Sequence, residues 1–137
     1  MGADFPYPPI KGQEHRYIII DTNGFMVPVQ FKVDIFSELN RLGFSYFVVP
    51  RAVISELENI SGKSSGVDSS AAKFALSLAK KCLVIEISGY ADDVIFDEAR
   101  KRNIAVLTND FALRERLFSE GLTVISLRQQ THLAKIC

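Results

Sequence analysis

Acidic side chains stand at four places in this chain where an apolar run gives way to small polar residues. Asp21 ends the run Tyr17-Ile18-Ile19-Ile20, and Asp110 closes Leu107-Thr108-Asn109. Asp92 and Asp93 open a helical stretch that follows Leu83–Ile87, and Glu56 lies about one and a half turns into the helix after Phe44–Val49. If the runs are parallel strands, all these acids fall at or near one carboxyl edge of a sheet, the edge where open α/β sheets hold their ligands. Carboxylates gathered there must take up protons or hold a cation, since two of them about 5 Å apart repel by roughly 3 kcal/mol at an effective dielectric near 20. Oxygen donors without neighbouring His or Cys favour Mg²⁺ or Mn²⁺ over Zn²⁺. A hard ion that keeps several waters suits hydrolysis of a phosphodiester. Helix capping is the competing explanation for Asp21, Asp92 and Asp110. It does not reach Glu56, which sits inside its helix beside the apolar face.

Other polar residues are read around that cluster. Asn23 and Thr108 are expected to orient Asp21 and Asp110, or to serve the adjoining turns and caps. Asp97, one turn after Asp93, could add a ligand but reads more simply as solvated. Lys63, Arg51, Arg114 and Arg116 lie near strand exits or in a loop, where they could contact a nucleic-acid backbone or merely face water. His15 and His132 stand far from the acids and receive no chemical role. Gly62-Lys63-Ser64 invites a phosphate-loop reading, but that motif needs a glycine where Leu57 stands, and it should follow a strand.

The elements that must position these groups alternate. Uninterrupted apolar runs at 16–20, 44–49, 83–87, 104–107 and 123–127 read as strands buried on both faces. Between them, helical spacing runs over 24–42 (Phe31, Ile35, Leu39, Leu42), with Pro28 in its first turn and Gly43 past its end. It recurs after Pro50 (Val53, Leu57, Ile60), over 70–81, over 90–102 and over 110–120. Ser61–Ser70 reads as a mobile loop, and 128–137 is weakly patterned. Strand–helix alternation implies an α/β three-layer sandwich with a five-stranded parallel sheet of order 3-2-1-4-5 and right-handed crossovers. Residues 1–15, with Pro6, Pro8 and Pro9, form a leader outside the sheet, 16–130 the domain, and 131–137 a tail.

Composition narrows the class. The 137 residues are 47% hydrophobic, enough for one domain with a full core. Lysine plus arginine and aspartate plus glutamate number 16 each, so a polyanionic partner would depend on a local patch. Two cysteines without metal-ligand spacing suggest a reduced, cytoplasmic setting, and no apolar run is long enough to span a membrane.

Four motifs in order now resemble the PIN domain family of metal-dependent ribonucleases. They are Asp21-Thr22-Asn23, Pro50-Arg51-Ala52-Val53-Ile54-Ser55-Glu56-Leu57, Ala91-Asp92-Asp93-Val94-Ile95 and Thr108-Asn109-Asp110. The resemblance covers residues 16–130. It implies that Asp21, Glu56, Asp93 and Asp110 are the metal ligands, with Asn23 and Thr108 in support. Asp93 is preferred to Asp92 because it directly precedes Val94-Ile95. The resemblance also implies cleavage of single-stranded RNA, a homodimer, and one of two branches. The tail Val124-Ile125-Ser126-Leu127-Arg128-Gln129 is similar to stand-alone relatives of small-subunit rRNA-processing endonucleases, which would have a ribosome-assembly partner. The VapC-type toxins, which have an antitoxin partner, share the acids. The rival from another class is a non-catalytic RNA- or protein-binding module. A phosphotransfer receiver fits poorly, since Arg128 stands where it wants a lysine. A haloacid-dehalogenase-type phosphatase lacks its Asp-x-Asp at the first strand.

Overall fold

The computed structural model describes residues 7–63 and 66–136, without the side chains of Lys63 and Val67. Its centre is β1 (Tyr17–Ile20), four residues with no exposed surface. β-branched side chains facing both ways from one strand require cover on both faces, and only the middle of a flanked sheet supplies it. Around β1 the order is β3-β2-β1-β4-β5-β6. β2 (Tyr46–Pro50), β3 (Leu83–Ile85), β4 (Ala105–Leu107) and β5 (Val124–Arg128) run parallel to it. Ile18 pairs with Phe47 on one side and Ala105 on the other. The chain therefore winds outward in opposite directions from the β1–β4 pair, which makes their carboxyl ends the crevice of the sheet.

Among the described residues, six α-helices flank it: α1 (Thr22–Phe31), α2 (Ile35–Arg41), α3 (Arg51–Lys63), α4 (Val67–Ala79), α5 (Ala91–Arg102) and α6 (Phe111–Ser119). α4 packs on α1 and α3, and α5 packs on α6. The first turn of α1 lies flush against β4. A Cβ added to Gly24 would come 3.0 Å from Leu107 Cγ and 3.1 Å from Ile20 Cγ2, so only glycine admits this approach.

The expected parallel order stands, with one strand more than foreseen. His132–Ile136 is β6, antiparallel to β5, so the sheet has six strands and residues 132–136 belong to it. A tight turn joins them: Thr131 N–H donates to Arg128 O at 3.1 Å, with Gln129 and Gln130 at φ 55° and 61°. These are the left-handed values that a two-residue hairpin turn requires.

Three local expectations need correction. The single helix over 24–42 is two, because Lys32 turns left-handed (φ 57°) and closes α1, while the Asp34 carboxylate accepts from Phe36 N and Ser37 N and starts α2. Pro28 lies inside α1 rather than in its first turn, and having no N–H it leaves the carbonyl of Gly24 without its helical donor. The loop over 61–70 contracts, since α3 runs on to Lys63 and Ser69 Oγ donates to Ser61 O at 2.8 Å. Its remaining part, Ser64–Ser65, lies outside the described residues. The leader, described from Tyr7 onward, is anchored there. The Tyr7 hydroxyl donates to the buried Glu98, and the Arg102 guanidinium lies 5.0 Å from the centre of its ring.

Candidate active site

Asp21 leaves β1 buried, with 3% of its surface exposed. Its backbone N–H donates to Leu107 O at 3.0 Å, continuing the β1–β4 ladder to the sheet edge. One carboxylate oxygen accepts from Thr22 N at 2.7 Å, and the other from Thr108 Oγ1 at 2.8 Å and Asn23 Nδ2 at 3.2 Å. Capping and site chemistry thus share this residue. The Thr108 hydroxyl also accepts from Asp110 N at 3.0 Å, so one side chain sets the positions of both acids. Asn23 Oδ1 accepts from Asn109 N at 2.8 Å and ties α1 to the exit of β4. Asp110 caps α6 by accepting from Leu113 N at 2.9 Å through one oxygen.

Glu56 is exposed on α3 and accepts a hydrogen bond from the Thr22 hydroxyl. Asp92, half-buried at the start of α5, has its carboxyl raised above the usual range by burial first and then by the charges of Asp110 and Glu56. Burial likewise pushes Asp21 up to about 6, with the Asp92 and Glu56 charges adding to the rise. Asp92 therefore feels Asp110 and Glu56, and Asp21 feels Asp92 and Glu56, acids that follow β1 and β4 or stand on α3 and α5. That arrangement is the crevice expected where the winding reverses.

Asp93 has a different environment. It is exposed, and its carboxylate accepts from Arg116 Nη1 at 2.8 Å. The motif prefers Asp93, but of the two it is Asp92 that feels the charges of Asp110 and Glu56. Neighbouring residues on a helix point about 100° apart, and at the start of α5 it is Asp92 that faces the acids while Asp93 faces α6. Asp97 also faces away, with Arg100 Nη2 at 3.8 Å. Among the proposed RNA contacts, Arg51 is engaged with Glu86 in a two-pronged pair at 3.1 and 2.8 Å. The Lys63 side chain lies outside the described residues. Arg114 lies over the Phe111 ring, 5.6 Å from its centre, and its Nε–H is buried without an acceptor among the described residues.

Three contributors are absent from the sequence reading. Thr22 bridges to Glu56, Asn109 Oδ1 accepts from Leu127 N at 2.9 Å, and the buried Ser126 hydroxyl donates to Thr108 O. A serine inside the apolar run Val124-Ile125-Ser126-Leu127 is the one signal that could have drawn attention to this lock.

Among the described residues, no three acids stand close enough to enclose a metal ion by themselves. The donors are nonetheless all oxygen, and the buried Asp21 carboxylate has three hydrogen-bond donors around it but no cationic partner. This set fits a hard divalent ion held by one or two carboxylates with most of its water retained, the manner of Mg²⁺.

The four-acid crevice on this sheet is that of a PIN domain, and the chain belongs to the family: the sequence model described as "PIN like domain" matches residues 18–130. Ribonuclease VapC9 of Archaeoglobus fulgidus is 31% identical over 119 residues, 87% of this chain and 88% of that protein. Ribonuclease VapC4 of Methanocaldococcus jannaschii is 28% identical over 121 residues, 84% of this chain and 92% of that protein. Among solved structures, that of the PIN domain endonuclease Utp24 matches with a TM-score of 0.71 at 25% identity, covering 87% of this chain and 90% of its own. The kinship drawn from the four acid motifs therefore holds, and so does the fold it implied.

Proposed function

We propose that this protein is a Mg²⁺- or Mn²⁺-dependent endoribonuclease that hydrolyses phosphodiester bonds in single-stranded RNA. The observation that carries the reading is the buried Asp21 carboxylate at the end of β1, tied through the Thr108 hydroxyl to Asp110 N at the exit of β4, with Asp92 and Glu56 near enough to raise it. The names of the two VapC relatives, both ribonucleases, support RNA as the substrate, and the name of the Utp24 endonuclease supports internal cleavage.

Asp21 and Asp110 would hold the ion, with Asp92 and Glu56 completing its surroundings directly or through water. A divalent ion bound there supplies a water of lowered pKa and offsets charge on the phosphoryl oxygens. The chain does the positioning. Thr108 fixes the spacing of Asp21 and Asp110 with one hydroxyl, Asn23 and Asn109 fasten the exits of β1 and β4 to each other, and Thr22 steers Glu56. Removing such supports typically lowers metal affinity or activity by about 10–100-fold.

The test is cleavage of a structured RNA carrying single-stranded junctions, with Mn²⁺ supplied, by wild type and by Asp21→Asn/Asp110→Asn. Asparagine keeps one accepting oxygen at each position without the charge, so the double variant should fold and should not cut. Equal cleavage by both proteins ends the enzymatic reading. The non-catalytic module would instead show no metal-dependent thermal shift and would tolerate Glu56→Gln.

The cellular role we propose is rRNA processing in the cytoplasm, as a homodimer with a ribosome-assembly partner, on the resemblance of Val124-Ile125-Ser126-Leu127-Arg128-Gln129 to stand-alone relatives of rRNA-processing endonucleases. The second reading, a toxin restrained by an antitoxin, is favoured by the two VapC relatives that match over most of their length. A small antitoxin-like reading frame beside this gene, together with growth arrest on unaccompanied expression, would decide for the toxin.

A further inference from the structure

Single exposed apolar side chains need no explanation, but exposed aromatics at the mouth of a polar crevice mark a contact surface. Here two of them stand next to the acids in the chain, at the starts of α5 and α6. Tyr90 is 68% exposed and Phe111 is 66% exposed. Tyr90 is the residue before α5, two positions from Asp92, and its side chain makes no cap to the helix. Phe111 is the first residue of α6 and directly follows Asp110. Neither is needed for the local fold. The Tyr90 contribution to α5 is its backbone carbonyl, which accepts from Val94 N at 3.0 Å. The start of α6 is held by the Asp110 carboxylate and by Thr108.

Arg114 adds an independent observation at the same place. Its guanidinium lies over the Phe111 ring, and its buried Nε–H has no acceptor among the described residues. The guanidinium is a permanent cation beside an exposed ring, the kind of group that meets the phosphates of a nucleic-acid backbone. Flat exposed rings with a cation beside them, next to a site for phosphodiester chemistry, are the arrangement by which proteins hold unstacked nucleobases. Base–aromatic stacking tolerates any sequence because every base has a π-face.

We infer that Tyr90 and Phe111, the latter backed by Arg114, are base-stacking platforms that position single-stranded RNA on the acid crevice. The inference rests on the nuclease reading and gives it a substrate requirement: nucleotides near the scissile phosphate must be unpaired and must carry bases. Paired RNA, whose bases are already stacked on each other, cannot use the platforms. Both aromatics are positioning residues; the chemistry stays with the acids.

The test measures binding of a fluorescein-labelled oligouridylate by anisotropy, beside the same oligomer with abasic residues in its middle. Wild type, Tyr90→Ala, Phe111→Ala and the double variant are compared. Each stacked base lost should weaken binding roughly ten-fold, so wild type should prefer the base-bearing strand and the double variant should bind both strands alike. Phe111→Tyr should restore the preference, which a merely structural role would not predict. Circular dichroism melts check that the exposed substitutions leave the fold intact. If wild type binds both strands equally, or if the double variant keeps the wild-type preference, the platforms do not exist. Either result leaves the nuclease reading standing whenever wild type still cleaves RNA and Asp21→Asn/Asp110→Asn does not, so the two failures are distinguishable.

Discussion

Replacing Asp21 by Asn should make the metal-free protein more stable while removing its activity. A carboxyl that titrates near 3.8 in the unfolded chain and near 6 in the folded one costs about 3 kcal/mol of stability once the pH exceeds 6. The cause is first the burial of Asp21, with 3% exposure, and then the charges of Asp92 and Glu56. The folded state binds the extra proton between those two values, so the penalty grows as pH rises through that window and is absent below it. Asparagine abolishes the charge but can satisfy fewer donors. Its one carbonyl can take the place of the oxygen facing Thr108 and Asn23, leaving Thr22 N without an acceptor at a cost of about 1–2 kcal/mol. The net gain at pH 8 is about 1–2 kcal/mol, a rise in Tm of roughly 5 °C for a chain of this size. Since the protein has no tryptophan, the melt is followed by circular dichroism at 222 nm, in EDTA at pH 8 and again at pH 4.5. The advantage of Asp21→Asn should shrink at the lower pH, and Mn²⁺ should raise the Tm of wild type alone. A variant that melts below wild type at pH 8 in EDTA, or a difference that ignores pH, refutes the reasoning.

Asp92→Asn should reduce Mn²⁺-dependent cleavage by roughly 100-fold or more, and Asp93→Asn, which loses only an exposed pair with Arg116, should stay within a few-fold of wild type in the same assay. Thr108→Val removes the hydroxyl shared by Asp21 and Asp110 N; it should cost about 1–3 kcal/mol in urea unfolding and about 10–100-fold in activity, while Thr108→Ser recovers most of both. Gly24→Ala drives a methyl to 3.0 Å from Leu107, and overpacking of about 1–3 kcal/mol should outweigh the helix-propensity gain of about 1 kcal/mol, giving a lower Tm. Tyr7→Phe strips one partner from the buried Glu98 and should lower the Tm without altering the rate of cleavage, because the contact lies at the far end of α5 from Asp92.

The strands of the sheet and the acids at its edge were legible because burial on both faces leaves a plain sequence trace. Tyr17–Ile20 is apolar at every position, and Asp21 ends it abruptly. Other features depend on contacts that no local pattern announces. β6 is joined through Gln129-Gln130, which lacks the Asn-Gly usual in such turns. The break between α1 and α2 rests on Lys32 accepting a left-handed conformation and on Asp34 winning the Phe36 and Ser37 amides. The different surroundings of Asp92 and Asp93 depend on α6, whose Arg116 meets Asp93 at 2.8 Å and lies 4.5 Å from the centre of the Phe96 ring. The leader's anchorage joins Tyr7 to Glu98 and Arg102 across more than ninety residues, beyond the reach of any short-range signal.

Titration of free Mn²⁺ by its electron paramagnetic resonance signal, with wild type beside Asp21→Asn/Asp110→Asn, asks directly whether the crevice holds a hard cation. Wild type should remove Mn²⁺ from the free pool until its sites fill, Mg²⁺ should compete it off, and the double variant should leave the signal nearly unchanged. Equal uptake by the two proteins, or none by either, would contradict a metal-dependent nuclease built on these acids.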